Sequence, residues 1–232
     1  MADTRRRFDS EIDAVRLRLL EMGAAAEEIV RDAVLALTTR NTALAATIIL
    51  RDDLIDSLEI EAMCLRMMIR QQPVAADLRL IGTALKIITD IERIGDHAVD
   101  IARVAQGMEA SLLYKPLVDI PRMGDMARAM LHDSLEAFVH RDMEIVYRVL
   151  AADDALDALY ARMRVDLHAV MQRETLSVLH ASHLLFVAHY LERIGDHCCN
   201  IAERVGYLQT GRVPKPASSG ALPAETCIAI AV

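Results

Sequence analysis

From Phe8 onward the apolar positions fall at alternating steps of four and three: Phe8, Ile12, Val15, Leu19, Met22, Ala26, Ile29, Ala33 and Leu37. On a 3.6-residue period they share one face, which predicts an amphipathic helix of bundle type. Residues 38–42 break the pattern, and Asn41 can cap a second helix over about 42–71. Gln71-Gln72-Pro73 ends that helix, because proline turns the preceding residue from α geometry and suits the first turn of the next. A third helix follows over about 73–106. Residues 107–121, with Lys115-Pro116, Asp119 and Pro121, have the chemistry of a linker.

The cycle then restarts. Met123, Ala127, Met130, Phe138, Arg141 and Asp142 stand 101 positions after Met22, Ala26, Ile29, Leu37, Arg40 and Asn41. Asp142 replaces Asn41 as a cap, a fifth helix runs to about 173, and Thr175 can cap a sixth that ends near 211. No stretch reads as a strand. The pattern predicts an all-α chain of six long helices in two tandem, pseudo-symmetric three-helix bundles, residues 1–113 and 114–211. Residues 212–232, rich in proline, serine and glycine, are expected to form a flexible C-terminal tail.

The third and sixth helices carry the same six residues, Glu92-Arg93-Ile94-Gly95-Asp96-His97 and Glu192-Arg193-Ile194-Gly195-Asp196-His197. Acids at i and i+4 lie one turn apart on one face and repel each other. The interior glycine costs about 1 kcal/mol relative to alanine, so it needs a reason such as a close neighbouring helix. Each half adds a second pair on its second helix: Asp52 and Asp56, then Asp153 and Asp157. If neighbouring helices set the pairs face to face, four carboxylates share one surface in each half. Such a cluster either holds protons or takes up a multivalent cation, and all-oxygen ligation suits hard ions. The candidate metal ligands are therefore Asp52, Asp56, Glu92, Asp96, Asp100, Asp153, Asp157, Glu192 and Asp196. Asp100 continues the first motif where the second has Asn200, and Glu59 stands where the second half has Tyr160. The first site is thus expected to bind cations more strongly. His97 and His197, about 100° round the helix from the motif acid, read as satisfied surface histidines. His180 and His183 read as capping or core-edge residues.

Composition narrows the partners. A net charge of -8, no Trp and three Phe among 232 residues argue against a nucleic-acid surface, which wants a basic face and stacking rings. No apolar run approaches a membrane span, and the charged N-terminus lacks a leader's apolar stretch. Cys64, Cys198, Cys199 and Cys227 show no C-x-x-C spacing, so reduced thiols in the cytoplasm are expected. No P-loop, glycine-rich phosphate cradle or paired nucleophile and base occurs, so a non-catalytic adaptor is the leading reading. The alternative is a carboxylate-metal enzyme such as an all-α, Mg²⁺-dependent nucleotide pyrophosphohydrolase.

The doubled E-R-I-G-D-H stretch, the QQPVA-x-DLR phrase over 71–79, and the F-x-x-E-I-x-x-x-R-x-x-L-x-x-M-G pattern over 8–23 resemble the PhoU family of bacterial phosphate-signalling regulators. The resemblance spans about residues 4–211. It implies two similar three-helix bundles with multinuclear metal clusters, of iron, zinc, magnesium or manganese, on Asp52, Asp56, Glu92 and Asp96 and on Asp153, Asp157, Glu192 and Asp196. It further implies a cytoplasmic homodimer. That dimer would restrain phosphate uptake and the phosphate-starvation response by contacting a sensor histidine kinase and the ATPase of the phosphate ABC transporter.

Overall fold

A computed structural model describes residues 2–50, 57–73, 76–108, 119–173 and 178–214. Among them lie seven helices and no strand: α1 (Ala2–Thr39), α2 (Thr42–Leu50), α3 (Ser57–Gln71), α4 (Ala76–Gly107), α5 (Asp119–His140), α6 (Met143–Arg173) and α7 (Val178–Thr210). The all-α expectation holds, but the count of six does not. The helix expected over 42–71 is described as α2 and α3, on either side of residues 51–56, whereas α6 runs unbroken through the matching positions. α4 starts at Ala76, three residues later than expected, and α5 takes in Asp119 and Pro121 from the expected linker. Proline is tolerated there because the first turn has no intrahelical acceptors for its N–H. Thr175 and the tail beyond residue 214 lie outside the described residues.

The first and second helix of each half meet at one construction, used twice. Arg40 and Arg141 are left-handed, at φ of 55° and 53°. The following residue then turns its N–H back onto the helix, Asn41 to the Ala36 carbonyl at 2.9 Å and Asp142 to the Ala137 carbonyl at 3.3 Å. Each of those residues caps the next helix, Asn41 Oδ1 accepting from Leu44 N at 3.0 Å and Asp142 Oδ1 from Glu144 N at 2.8 Å.

α1, α4, α7 and α5 form a closed ring in which each packs on the next, with α2 and α3 laid on α1 and α4, and α6 on α5 and α7. Buried side chains from both halves make one continuous core, from Leu19, Ile91 and Ile94 through Phe138, Leu191 and Ile194. The two halves therefore share that core. The halves fuse through α4–α7 and α1–α5. At the α1–α5 seam a Cβ on Gly23 would strike Leu135, and one on Gly124 would meet Val34 Cγ2 at 2.9 Å. Gly23 and Gly124 are 101 positions apart, as are Val34 and Leu135, so the seam is a pseudo-two-fold in which glycine on each helix receives a branched side chain from the other.

Candidate functional site

On α4 and α7 the repeated motif turns its apolar residues inward. Ile94, Gly95, Ile194 and Gly195 are buried, and the acids and arginines lie at the edge of that stripe. Gly195 does what the sequence suggested: a Cβ there would stand 2.5 Å from Leu156 Cδ2 and 3.4 Å from Asp153 Oδ1. Its absence lets α6 close on α7 and brings the second-helix acid onto the motif.

Four carboxylates of the second half, Asp153, Asp157, Glu192 and Asp196, consequently share one neighbourhood. Asp153 Oδ1 is buried without a hydrogen-bond partner. Burial, with the charges of Asp157 and Asp196 adding, pushes the Asp153 carboxyl up to about 6, while the Cys199 thiol opposes part of that rise. Burial and Asp196 raise Asp157, and burial and Asp196 raise Glu192 against Arg193. His189 Nδ1 lies 3.4 Å from Glu192 Oε2, but burial and Arg193 push that imidazole toward its neutral form. The surface thus holds its negative charge poorly and favours protons.

In the first half, Glu92 and Asp96 line a cleft of about 250 Å³ with Ile29, Thr89, Arg93, Gly95 and Val99. Asp52 and Asp56, the expected partners from the second helix, lie outside the described residues. Asp100 is drawn the other way, toward His97 and Tyr190, whose titrations its charge influences.

The expected multinuclear metal clusters are overturned. Among the described residues no group of three or more His, Cys, Asp or Glu side chains is placed to hold a metal ion. The reason lies in the motif arginines and Arg103. Arg93 Nη1 donates to Asp96 at 3.1 Å, Arg193 Nη1 to Asp196 at 2.9 Å, and Arg103 Nη1 to Asp100 at 2.7 Å, each one turn along the same helix. Those carboxylates have a cation already, and in the second half the raised carboxyls of Asp153, Asp157 and Glu192 absorb further repulsion. The expectation that the first half binds cations more strongly concerns a site that includes Asp52 and Asp56, which lie outside the described residues.

The motif histidines are the feature that sequence reasoning missed. They meet across α4–α7, with ring centroids 5.7 Å apart. His197 Nδ1 lies 2.9 Å from Asp90 Oδ1, which also accepts from Asn200 Nδ2 at 3.3 Å, while His97 stacks on Tyr190 at 5.8 Å. Asp90 and Tyr190 occupy matching places seven residues before each histidine, so one pseudo-symmetric contact is a histidine–carboxylate hydrogen bond and the other a ring stack. That spacing was the available signal. Burial and His197 push His97 toward its neutral form, as a ring inside the seam requires. His180 is buried, as the core-edge reading had it.

Among the described residues no helix is long and apolar enough to cross a membrane. The model of the PhoU domain matches the chain twice, over residues 19–105 and 120–205. A phosphate-specific transport system accessory protein PhoU homolog of Clostridium acetobutylicum is 40% identical over 212 residues, covering 90% of this chain and 97% of that protein. The accessory protein PhoU of Escherichia coli K12 is 32% identical, covering 88% of this chain and 86% of that one. The crystal structure of PhoU from Pseudomonas aeruginosa superposes with a TM-score of 0.84 at 35% identity, over 88% of this chain and 99% of that one. The phosphate transport system regulatory protein PhoU of Streptococcus pneumoniae gives 0.84 at 28% identity, over 90% and 99%.

Proposed function

The chain belongs to the PhoU family, and from that premise we propose that it regulates phosphate uptake and phosphate-starvation signalling by binding partners. It is a regulator and not an enzyme. The observation that carries the reading is the double family match, which includes both copies of the E-R-I-G-D-H motif. In this reading the protein works in the cytoplasm as a homodimer, and restrains a sensor histidine kinase and the ATPase of a phosphate ABC transporter. Its units are the duplicated halves, 1–113 and 114–211, followed by the segment 212–232.

The acidic surface is the proposed docking site. Asp153, Asp157, Glu192 and Asp196, with Glu92, Asp96 and Asp100 as counterparts in the first half, present carboxylates whose repulsion is only partly relieved by Arg193, Arg93 and Arg103. A partner's lysine or arginine placed among them supplies the missing positive charge, and complementary charge of this kind fixes register and speeds encounter. Deleting the gene from its host should derepress phosphate-starvation genes in phosphate-rich medium, and the intact gene should restore repression. A copy carrying Asp157→Lys and Asp196→Lys should fold yet fail to restore it. Unchanged expression in the deletion strain refutes the regulatory role, and full complementation by the double variant refutes the docking surface.

A further inference from the structure

The chain turns back on itself after α7. Gly211 is left-handed, at φ of 72°, with its N–H on the Tyr207 carbonyl at 2.8 Å, and Thr210 Oγ1 accepts from Arg212 N at 3.2 Å. Pro214 then lies against Gly206, where a Cβ would stand 2.5 Å from the proline Cγ. The reversal points the following segment back along α7. Residues 215–232 lie outside the described residues. Their sequence, KPASSGALPAETCIAIAV, sets Lys215 first, then mostly small residues and prolines, and last an apolar run over 227–232.

The line that Pro214 joins leads to an exposed apolar patch. On a bundle helix residues seven apart share one line, and Gly206, Cys199, Glu192, Leu185 and Val178 follow in that order. α6 flanks this line, with the Tyr160 and His189 ring centroids 6.0 Å apart. At its far end Val178, Leu179 and Phe186 are 40%, 63% and 53% exposed, and Val165 of α6 is 65% exposed. The duplication does not demand such a patch: 100 positions earlier α4 has Arg79 for Leu179 and Lys86 for Phe186. From Gly206, Phe186 and Leu179 lie about 30 and 40 Å back along the helix. The residues from Pro214 to Cys227 reach about 43 Å when extended. Ile228, Ile230 and Val232 then alternate onto one face. Lys215, next after Pro214, arrives beside half-buried Glu203, one turn from Gly206. We infer that residues 215–232 run back along α7 beside α6, past the edge of the acidic surface at Glu192, and seat 227–232 on Val165, Val178, Leu179 and Phe186. The contact does not depend on the docking role proposed above.

Disulfide trapping in the full chain tests it, with Cys227 as the probe and Cys199→Ser removing the half-buried thiol on the path. Ser182→Cys places a second thiol between Leu179 and Phe186 without altering either, and Gly82→Cys places one 100 positions earlier, at an exposed site on α4. A freely sampling segment keeps Cys227 within about 20 Å of Pro214. That favours Gly82→Cys, because α4 runs antiparallel to α7, with Asp90 against His197 and His97 against Tyr190, and so brings residue 82 close to the level of Gly206. Ser182 lies about 36 Å along α7 from Gly206. Under mild oxidation of dilute protein, Ser182→Cys should nevertheless close an intramolecular disulfide at least fivefold faster than Gly82→Cys, at unchanged far-ultraviolet circular dichroism. Adding Ile228→Asp and Ile230→Asp should reverse that order. Gly82→Cys trapping as fast as Ser182→Cys, or an order indifferent to the two aspartates, overturns the contact. A disulfide that joins two chains instead, at twice the mass on a non-reducing gel, seats the segment on a second copy and overturns the contact within one chain.

Discussion

Asp153→Asn is the perturbation whose outcome follows most directly from the structure. The wild-type carboxyl titrates at about 6 in the fold, against 3.8 for an ordinary aspartate, chiefly because burial and Asp157 penalise its charge. Below pH 3.8 the group is protonated in both states and contributes nothing. Between 3.8 and about 6 the folded state binds the extra proton, so stability falls as pH rises, and above 6 the full penalty is present. At about 1.4 kcal/mol per pKa unit the penalty reaches about 3 kcal/mol, and partial solvent exposure screens it to about 1–3 kcal/mol. Asparagine keeps the shape and never ionises. Urea unfolding followed by circular dichroism, in EDTA to exclude stray cations, should give equal stabilities at pH 4 and a variant more stable by about 1–3 kcal/mol at pH 8. The wild type should lose that difference between pH 4 and 6.5. Equal midpoints at pH 8, or a gap that does not widen with pH, would refute the idea that this carboxylate is buried at a cost.

Gly195→Ala forces its Cβ against Leu156 and should destabilise by about 1–3 kcal/mol through overpacking of α6 on α7, read as a lower urea midpoint. Gly124→Ala, which pushes on Val34, should cost a similar amount, whereas Gly82→Ala meets nothing within 4 Å and should stabilise α4 by about 0.5–1 kcal/mol. Asp142→Ala removes the cap of α6 and should cost about 1 kcal/mol. A double-mutant cycle of Asp90→Asn with His197→Gln should give a coupling above about 0.5 kcal/mol, and strictly additive effects would show that the pair does not hold α4 to α7.

The sequence determined the helical class, the duplication and the caps, because these depend on short-range physics. A 3.6-residue stripe, a break capped by Asn41 or Asp142, and an E-R-I-G-D-H phrase repeated after one hundred residues require no knowledge of what packs on what. The acids of the second half were also legible as neighbours, because i and i+4 spacing on two helices plus a glycine at the crossing leaves little choice. What relieved their repulsion was legible only in part, in the Arg93 and Arg193 of the motif itself. Whether a motif arginine or a raised carboxyl pKa takes the place of a bound cation is set by burial and by distances of a few ångströms, which one-dimensional spacing does not contain. The relation of the halves was decided at the same level. Gly23 under Leu135, Gly124 under Val34, and His197 against Asp90 join residues far apart in sequence, and only their packing turned two expected bundles into one shared core.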